Sequence, residues 1–587
     1  MEEQAQNKQI GAIAVHSQYI KDLSLEIPHA PEIFSEIKSA PKIDVHVDVK
    51  SEPKGNNTYT SQLSISMNGK VEDKTLFVLE LTYAAFAEVN VPAEHLEPVL
   101  MIELPRLIFP FARNVVTQCL TEGGLPAFML NPIDFAALYA AKLATVALSV
   151  MHRNGTHMPG VLAMKICPDF LGRMDKPKTI IGITGTNGKT TTANMINDIL
   201  ADNGYSPVNN RAGSNILGGV ATTLISAVNL RGKTVKDLAV LELDERSSRL
   251  IYPYVHPTYL LCTNLFRDSY KRNAHSEFIF DILDKHIPKQ TKLVLNADDL
   301  VSARLAKGND RVYFGIEKQD NEVLNENTII IDTPLCPECG SRLEYDFRRY
   351  HHIGSAHCTK CGFRSPKADY DVTKVNESTG RITMSLKGKQ ADFKAVGTSV
   401  TDTYNLAGAI AVLSEFGLSA EQLKKSVEKL EIVKSRYDEE KIGDKQVIMS
   451  VAKGQNPVAC SRVFSSIKNH TGKKAVVLML DDLGDAEETS ENTAWIYDTD
   501  FEFLNDDSIT QVICSGVRRT DYKVRLLLAG VPEEKITCVE KESDAANEVD
   551  LDKADTIFFL YDVYTTSYAA ISKNTISDRM AERSAKQ

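Results

Sequence analysis

The chain has 587 residues, 43% hydrophobic and 25% charged, the balance of ordinary folded domains rather than of a disordered or collagen-like chain. At roughly 150 residues per domain this length predicts about three to four domains. Its 78 acidic and 67 basic residues leave a net charge of −11, which argues against a general nucleic-acid binder. No apolar run reaches the ~18 residues of a membrane span, and the opening MEEQAQNKQIGAIAV lacks the apolar core of a secretory signal, so a cytoplasmic protein is expected.

Residues 1–145 hold eleven Lys/Arg against eighteen Asp/Glu and so carry most of the negative charge. Between Ile43 and Leu81 the runs IDVHVDV, TYTSQLSISM and TLFVLELTY alternate apolar with polar residues and predict antiparallel strands. Turns are expected at SEPKGNN and at Asn68-Gly69, and helices around Leu107–Thr121 and Asp134–Met151. No phosphate loop, metal cluster or nucleophile–base pair occurs in this segment, which reads as a binding module. From Lys178 the texture changes. TIIGITG, VKDLAVLELDE, PTYLLCTNL and TKLVLNADD are buried strands ending in polar residues, the pattern of a parallel α/β sheet with chemistry at its strand ends. A helical pair (NLAGAIAVLSEFG and SAEQLKKSVEKLEIV) comes next. A second alternating block (QVIMSVA, KAVVLMLDD, ITQVICSG, KITCVE, DTIFFLYD) then predicts another α/β unit.

The segments QYIKDLSLEIPHAPEIF (Gln18–Phe34), TLFVLELTYAAFAEV, IELPRLIFPFARNVV (Ile102–Val116) and GGLPAFMLNPIDFAALY (Gly123–Tyr139) resemble the SecB family of protein-export chaperones. That resemblance implies a homotetramer that holds unfolded precursor proteins and hands them to SecA. Asp22, Glu26 and Glu80 are the candidate acids for the SecA contact. The module joins the next one near Ala141–Val150 with no Gly/Ser- or Pro-rich linker.

The strongest chemical signal is Gly182-Ile-Thr-Gly185-Thr186-Asn187-Gly188-Lys189-Thr190-Thr191. A strand delivers glycines to a tight loop, and the next helix turns its free N–H groups toward an anion. Lys189 supplies a charge for β/γ-phosphates and the Thr190 hydroxyl suits Mg²⁺. TGTNGKTT resembles the ATP loop of the Mur ligase family. LELDE, TNLFRD, NADD and Tyr404-Asn405 come after it in that family's order. The resemblance implies Glu242 as a Mg²⁺ ligand and Asn264, Asn296, Asp298 and Asn405 as nucleotide-site residues beside the loop Gly185–Thr191.

Six cysteines (Cys119, Cys167, Cys262, Cys460, Cys514, Cys538) stand singly and read as small buried hydrophobes. Cys336, Cys339, Cys358 and Cys361 form paired CxxC knuckles, the spacing of a closed four-thiolate structural zinc site. The nearby His351, His352 and His357 read as solvated hairpin residues. The expected architecture is therefore α/β multidomain. Residues 1–145 form a SecB-like α+β antiparallel-sheet domain. Residues 146–438 form a Mur-type ATP domain with a parallel sheet and a zinc ribbon at about 330–368, and residues 439–587 a further α/β domain.

The ribbon CPECGSRLEYDFRRYHHIGSAHCTKCGF and TAWIYDTDFEFL (Thr493–Leu504) narrow the resemblance to the MurT family, synthetase subunits of lipid II isoglutaminyl synthases. This narrower resemblance implies ATP- and Mg²⁺-dependent amidation of the D-glutamate α-carboxylate of lipid II at the inner membrane face. Ammonia would come from a GatD-like glutaminase whose catalytic pair is completed by an Asp of the synthetase. This chain has Asn492 at that Asp position, and Arg267-Asp268-Ser269 where the family has Arg-Asp-Gln. An amide can orient a histidine but brings no charge to an imidazolium. Two other readings stay open here: a chaperone carrying a nucleotide-binding but non-ligating domain, and a ligase for another acceptor such as a folylpolyglutamate-type substrate.

Overall fold

The computed structural model describes residues 13–36, 41–71, 74–92, 96–97, 99–126, 141–142, 144–145, 148, 155–211, 214–229, 232–267, 275–320, 328–397, 399–430, 437–452, 456–481, 493–562 and 564–586. They fall into two compact units, Met1–Thr179 with Val208–Ala239, and Ile180–Pro207 with Val240–Gln587.

In the first unit, β1 (Ile13–Glu26), β2 (Lys42–Gly55), β3 (Thr58–Val71) and β4 (Lys74–Val89) form an antiparallel sheet in the order β1-β4-β3-β2. Alternation along β3 and β4 puts Leu63, Ile65, Met67, Leu79 and Leu81 into a core against Ile108, Ala112, Val116 and Leu120 of α1 (Leu104–Glu122). The strands expected between Ile43 and Leu81 are present, but Asn68-Gly69 is no turn: both residues lie inside β3. Gly69 pairs with Phe77, and a Cβ there would sit 2.3 Å from the Phe77 ring, so the glycine makes room for the aromatic instead of bending the chain. Strand β1 is an edge, exposed along most of its length, with Tyr19, Ile20 and Leu23 among its exposed residues. Asp22 and Glu80 line a shallow cleft with His46, Asp48 and Lys233. Further along, α2 (Met158–Ile166) packs on the helix Leu217–Ser226, where the Gly160 N–H donates to the Thr222 hydroxyl at 2.9 Å. Most of the helix expected over Asp134–Met151 lies outside the described residues.

In the second unit, β5 (Thr179–Thr184), β6 (Leu238–Glu242), β7 (Tyr259–Cys262), β8 (Lys292–Asn296) and β9 (Arg311–Ile316) lead into a ribbon hairpin, β10 (Glu344–Tyr350) and β11 (Ile353–His357). Strands β12 (Tyr370–Asn376), β13 (Arg381–Leu386) and β14 (Lys389–Lys394) join the larger, nine-stranded sheet, which runs β14-β13-β12-β9-β8-β7-β5-β6 and then the short strand Val208–Asn209. Pairing is parallel from β5 through β7, β8 and β9 to β12, and antiparallel beyond. The parallel core is apolar because it is covered: the heavily buried α4 (Val400–Phe416) packs on β7, β8, β9 and β12, and α3 (Lys189–Asp202) packs on α4. A second sheet collects Tyr437–Ile442, Lys445–Val451, Thr556–Tyr561, Lys474–Met479, Ile509–Ser515 and Ile536–Val539, in that order, parallel except for its first strand. Among the described residues no helix is long and apolar enough to cross a membrane.

Candidate active site and four-cysteine cluster

The loop after β5 is shaped by two glycines with positive φ, Gly185 (+124°) and Gly188 (+86°). A Cβ on Gly188 would lie 2.2 Å from Asn405 Oδ1, and one on Gly185 would lie 2.3 Å from Thr263 Oγ1. Only glycine fits this backbone. The loop is held from beneath. Thr263 Oγ1 and Asn264 Nδ2 both donate to the Asn187 carbonyl, at 2.7 and 3.1 Å, and the Asn187 N–H donates to Asn264 Oδ1 at 3.0 Å. The Thr186 N–H donates to the Asn264 carbonyl, and the Thr186 hydroxyl accepts from the Phe266 N–H. Asn296 donates to the Thr263 carbonyl at 3.1 Å and accepts from the Asp298 N–H at 3.0 Å. Asp298 Oδ2 accepts from the Tyr404 hydroxyl at 2.5 Å and from Arg349 at 3.1 Å. The structure thus brings Gly185–Thr191, Asn264, Asn296, Asp298 and Asn405 around one strand-end edge. Asn264 spends its hydrogen bonds on the loop itself, whereas Asn296 and Asp298 spend theirs on the strand ends beside it and on Tyr404 and Arg349. Thr190 is exposed at the head of α3, and Glu242 is half-buried at the end of β6.

The sequence pattern points to Glu242 and passes over Glu245, three residues on. Glu245 Oε1 accepts from the Lys189 ammonium at 2.7 Å and from the Gly185 N–H at 2.9 Å. Burial pushes its carboxyl upward, against the pull of Lys189. Lys189 also donates to the Gly185 carbonyl, so its ammonium is folded back onto the loop. The last acid of LELDE is the signal that marks it. Asn456 is a second residue that the motifs do not flag. It caps the helix Pro457–Asn469 and reaches Asn187 Oδ1 at 3.4 Å; Asn before Pro at the head of an amphipathic run is a legible cap. Asn492 lies outside the described residues, as do Asp268 and Ser269. Asp481, the last described residue before Asn492 in sequence, accepts from the backbone N–H groups of Val517 and Arg518 at 2.5 and 3.4 Å and is thereby committed to holding that turn.

The four cysteines converge. Cys336 and Cys361 sulfurs are 3.5 Å apart, Cys339 and Cys358 sulfurs 3.6 Å, and all four lie within 4.8 Å of one another. A tetrahedron with bonds of about 2.3 Å has edges of about 3.8 Å, so the all-thiolate set fits zinc. Each knuckle repeats one turn: the Cys336 N–H donates to the Ser341 carbonyl and the Gly340 N–H to the Cys336 carbonyl, and Cys358, Phe363 and Gly362 do the same.

Two expectations fail here. His351 and His352 are buried rather than solvated, because the hairpin turn carrying them faces inward. His352 Nε2 meets Asp299 Oδ1 at 3.0 Å, and Asp332 lies 3.7 Å from its other nitrogen. Burial alone would discharge this ring, but the two carboxylates outweigh it and push its pKa up to about 9. His351, buried without such a pair, is pushed down to about 4. Cys538 is exposed, not buried, on an edge strand opposite Cys514; Cys119 is half-buried, and the other single cysteines are buried as expected.

A parallel sheet with a phosphate loop, a loop lysine and strand-end acids is the architecture of a nucleotide-binding domain, and similarity to known proteins places it among the ATP-dependent ligases of the Mur type. Residues 183–333 match the Mur ligase middle domain, residues 454–567 the MurT ligase C-terminal domain, and residues 4–146 the preprotein translocase subunit SecB. The chain is 32% identical over 402 residues to the lipid II isoglutaminyl synthase (glutamine-hydrolyzing) subunit MurT of Staphylococcus aureus (strain COL), covering 68% of this chain and 88% of that protein. It is 45% identical over 127 residues to the protein-export protein SecB of Rhodospirillum rubrum, covering 22% of this chain and 79% of that protein. A pseudomurein peptide ligase type C from Methanothermus fervidus has the same fold, with a TM-score of 0.51 at 21% identity over 70% of this chain and 81% of that one. The chain belongs to the MurT family of Mur ligases and carries, in its N-terminal segment, a member of the SecB family.

Proposed function

We propose that residues 146–438 and 439–587 amidate the D-glutamate α-carboxylate of the lipid II stem peptide at the cytoplasmic face of the membrane. The single observation that carries this reading is the 88% coverage of a MurT protein by one continuous match. A carboxylate oxygen attacks the γ-phosphorus of ATP and ADP departs. Ammonia then attacks the acyl carbon, phosphate leaves with the bonding pair, and the surplus proton passes to solvent. Thr190 and Glu242 would hold Mg²⁺, which neutralises charge on the phosphates when bound. Lys189 exchanges Glu245 for the phosphates, so the transferred group takes over a cation that the protein already positions. Cys336, Cys339, Cys358 and Cys361 would hold a structural zinc, with no open position for chemistry.

Ammonia would come from a GatD-like glutaminase subunit. The N-terminal module, residues 1–145, would bind unfolded precursor proteins as a homotetramer and pass them to SecA through the face bearing Asp22, Glu26 and Glu80. The test is an assay of purified protein with lipid II, ATP and Mg²⁺, supplied with ammonium or with glutamine and the partner. Amidated lipid II in step with ADP release is expected. ADP release only with a folylpolyglutamate-type acceptor, or none with any acceptor, would overturn the reading.

A further inference from the structure

The ribbon hairpin does not end in solvent. Its turn, Arg349 to Ile353, is buried throughout and lodges against the strand ends that build the phosphate loop. Two routes run from this turn to the loop. On one side Arg349 donates to Asp298 Oδ2 and to the Tyr404 hydroxyl, at 3.1 and 2.9 Å. Tyr404 precedes Asn405, whose side chain closes over Gly188. On the other side His352 bonds Asp299, whose second oxygen accepts from the Leu265 N–H at 2.7 Å, next to the Asn264 that brackets Asn187. Backbone contacts reinforce both: the Gly354 N–H donates to the Asp298 carbonyl at 2.8 Å, and Ile353 bridges Asp299.

The charges on this turn are balanced, with little to spare. Arg349 is a buried cation serving Asp298. Burial and the nearby charges of Glu317 and Asp298 raise the neighbouring Asp371 carboxyl to about 7, against the pull of Arg349. His352 lies between Asp299 and Asp332, and Asp332 in turn pairs with Arg267, which reaches Asp498 at 2.8 Å. Removing one member leaves buried carboxylates uncompensated, and the strand ends must move to regain water. The cysteine cluster fastens the other end of the hairpin. Cys358 directly follows β11, and Cys336, Cys358, Leu343 and Ala356 pack with Leu300, the residue after Asp299.

We propose that Arg349 and His352 are positioning residues of the nucleotide site, and that fastening of the four-cysteine cluster by a thiolate-bound metal sets how well they hold the phosphate loop. This rests on the reading of Gly185–Thr191 as that site. The hairpin thereby couples two ligands, a soft divalent metal and a nucleoside polyphosphate, and the coupling is reciprocal.

The test titrates Mg·ADP into the full-length protein by calorimetry, zinc-loaded and after chelation, for wild type, Arg349→Met, Arg349→Lys, His352→Asn and Lys189→Ala, with zinc measured by elemental analysis. In wild type, chelation should weaken Mg·ADP binding at least about tenfold, the scale of an ordinary coupling between two sites. Zinc-loaded Arg349→Met and His352→Asn should keep their metal and show a similar weakening, with Arg349→Lys recovering part of it. Chelation should then cost Arg349→Met little more, because both changes cut the same connection. Equal Mg·ADP affinity with and without zinc in wild type would overturn the proposal, and so would a chelation effect of full size in Arg349→Met. If Lys189→Ala binds Mg·ADP as wild type does, the assignment of the loop fails instead, which separates the two failures. The wild-type chelation arm uses the native sequence, so a variant that does not fold leaves the test intact.

Discussion

Lys189 and His352 show how a single side chain is set by its partners. The buried Glu245 holds the half-buried Lys189 ammonium against the loop, so the loop is pre-shaped by its own ion pair. His352 is held as a cation by Asp299 and Asp332, with a pKa of about 9 in the folded protein against 6.5 in an unfolded chain. A raised histidine contributes its stabilisation in full below pH 6.5 and loses it as pH rises through 9, an effect of at most roughly 3 kcal/mol. Urea denaturation midpoints should therefore fall between pH 6.5 and 9 in wild type, and this fall should be smaller in His352→Asn. Asn492 is a different case, a residue whose consequence is chemical. With Asp481 tied to the Val517 and Arg518 N–H groups, that carboxylate is not free to stand in for the acid that the family resemblance implies at position 492. In a Ser-His-Asp triad, changing the carboxylate to its amide costs about 10⁴ in kcat. Under the proposed function, Asn492→Asp should accordingly raise glutamine-dependent amidation with a GatD-like glutaminase and leave ammonium-dependent amidation as it was; a comparison of the two nitrogen sources checks it.

Elements are legible in proportion to how local their causes are. TIIGITG, TKLVLNADD and DTIFFLYD are continuous apolar runs closed by polar residues, the look of strands buried on both faces. The phosphate loop is readable for the same reason, since its glycines, lysine and hydroxyls act within one turn of chain. The hairpin turn is not. Arg348-Arg349-Tyr350-His351-His352 reads as a solvated turn because the carboxylates that neutralise it, Asp298, Asp299 and Asp332, come from other segments. Asn68-Gly69 misleads in the opposite sense: local turn chemistry is overruled by the Phe77 ring across the sheet. At this scale the cysteine knuckles make a direct prediction. Metal binding at a four-thiolate site is coupled to local folding, so Cys339→Ser should lose zinc by elemental analysis and become protease-sensitive between residues 330 and 368.

At the scale of the molecule, two families share one chain, and the phosphate loop lies outside the segment that matches SecB. Lys189→Ala should abolish ATP turnover while an unfolded client protein still binds, measured by co-sedimentation; loss of client binding in a folded Lys189→Ala protein would refute separable functions. Strand β1 gives this arrangement a further meaning. It lies at the sheet edge and exposes Tyr19, Ile20 and Leu23, and an edge of that length is a template for a second copy. Self-pairing there would join two ligase modules in one particle, and under the proposed function their acceptor would be confined to a surface. Once one module holds a lipid-linked acceptor, its companion meets the next at an effective concentration set by the particle's own dimensions. On the proposed function, this edge strand would then govern processivity: how many stem peptides are amidated per landing, with no change in the chemistry of any one site.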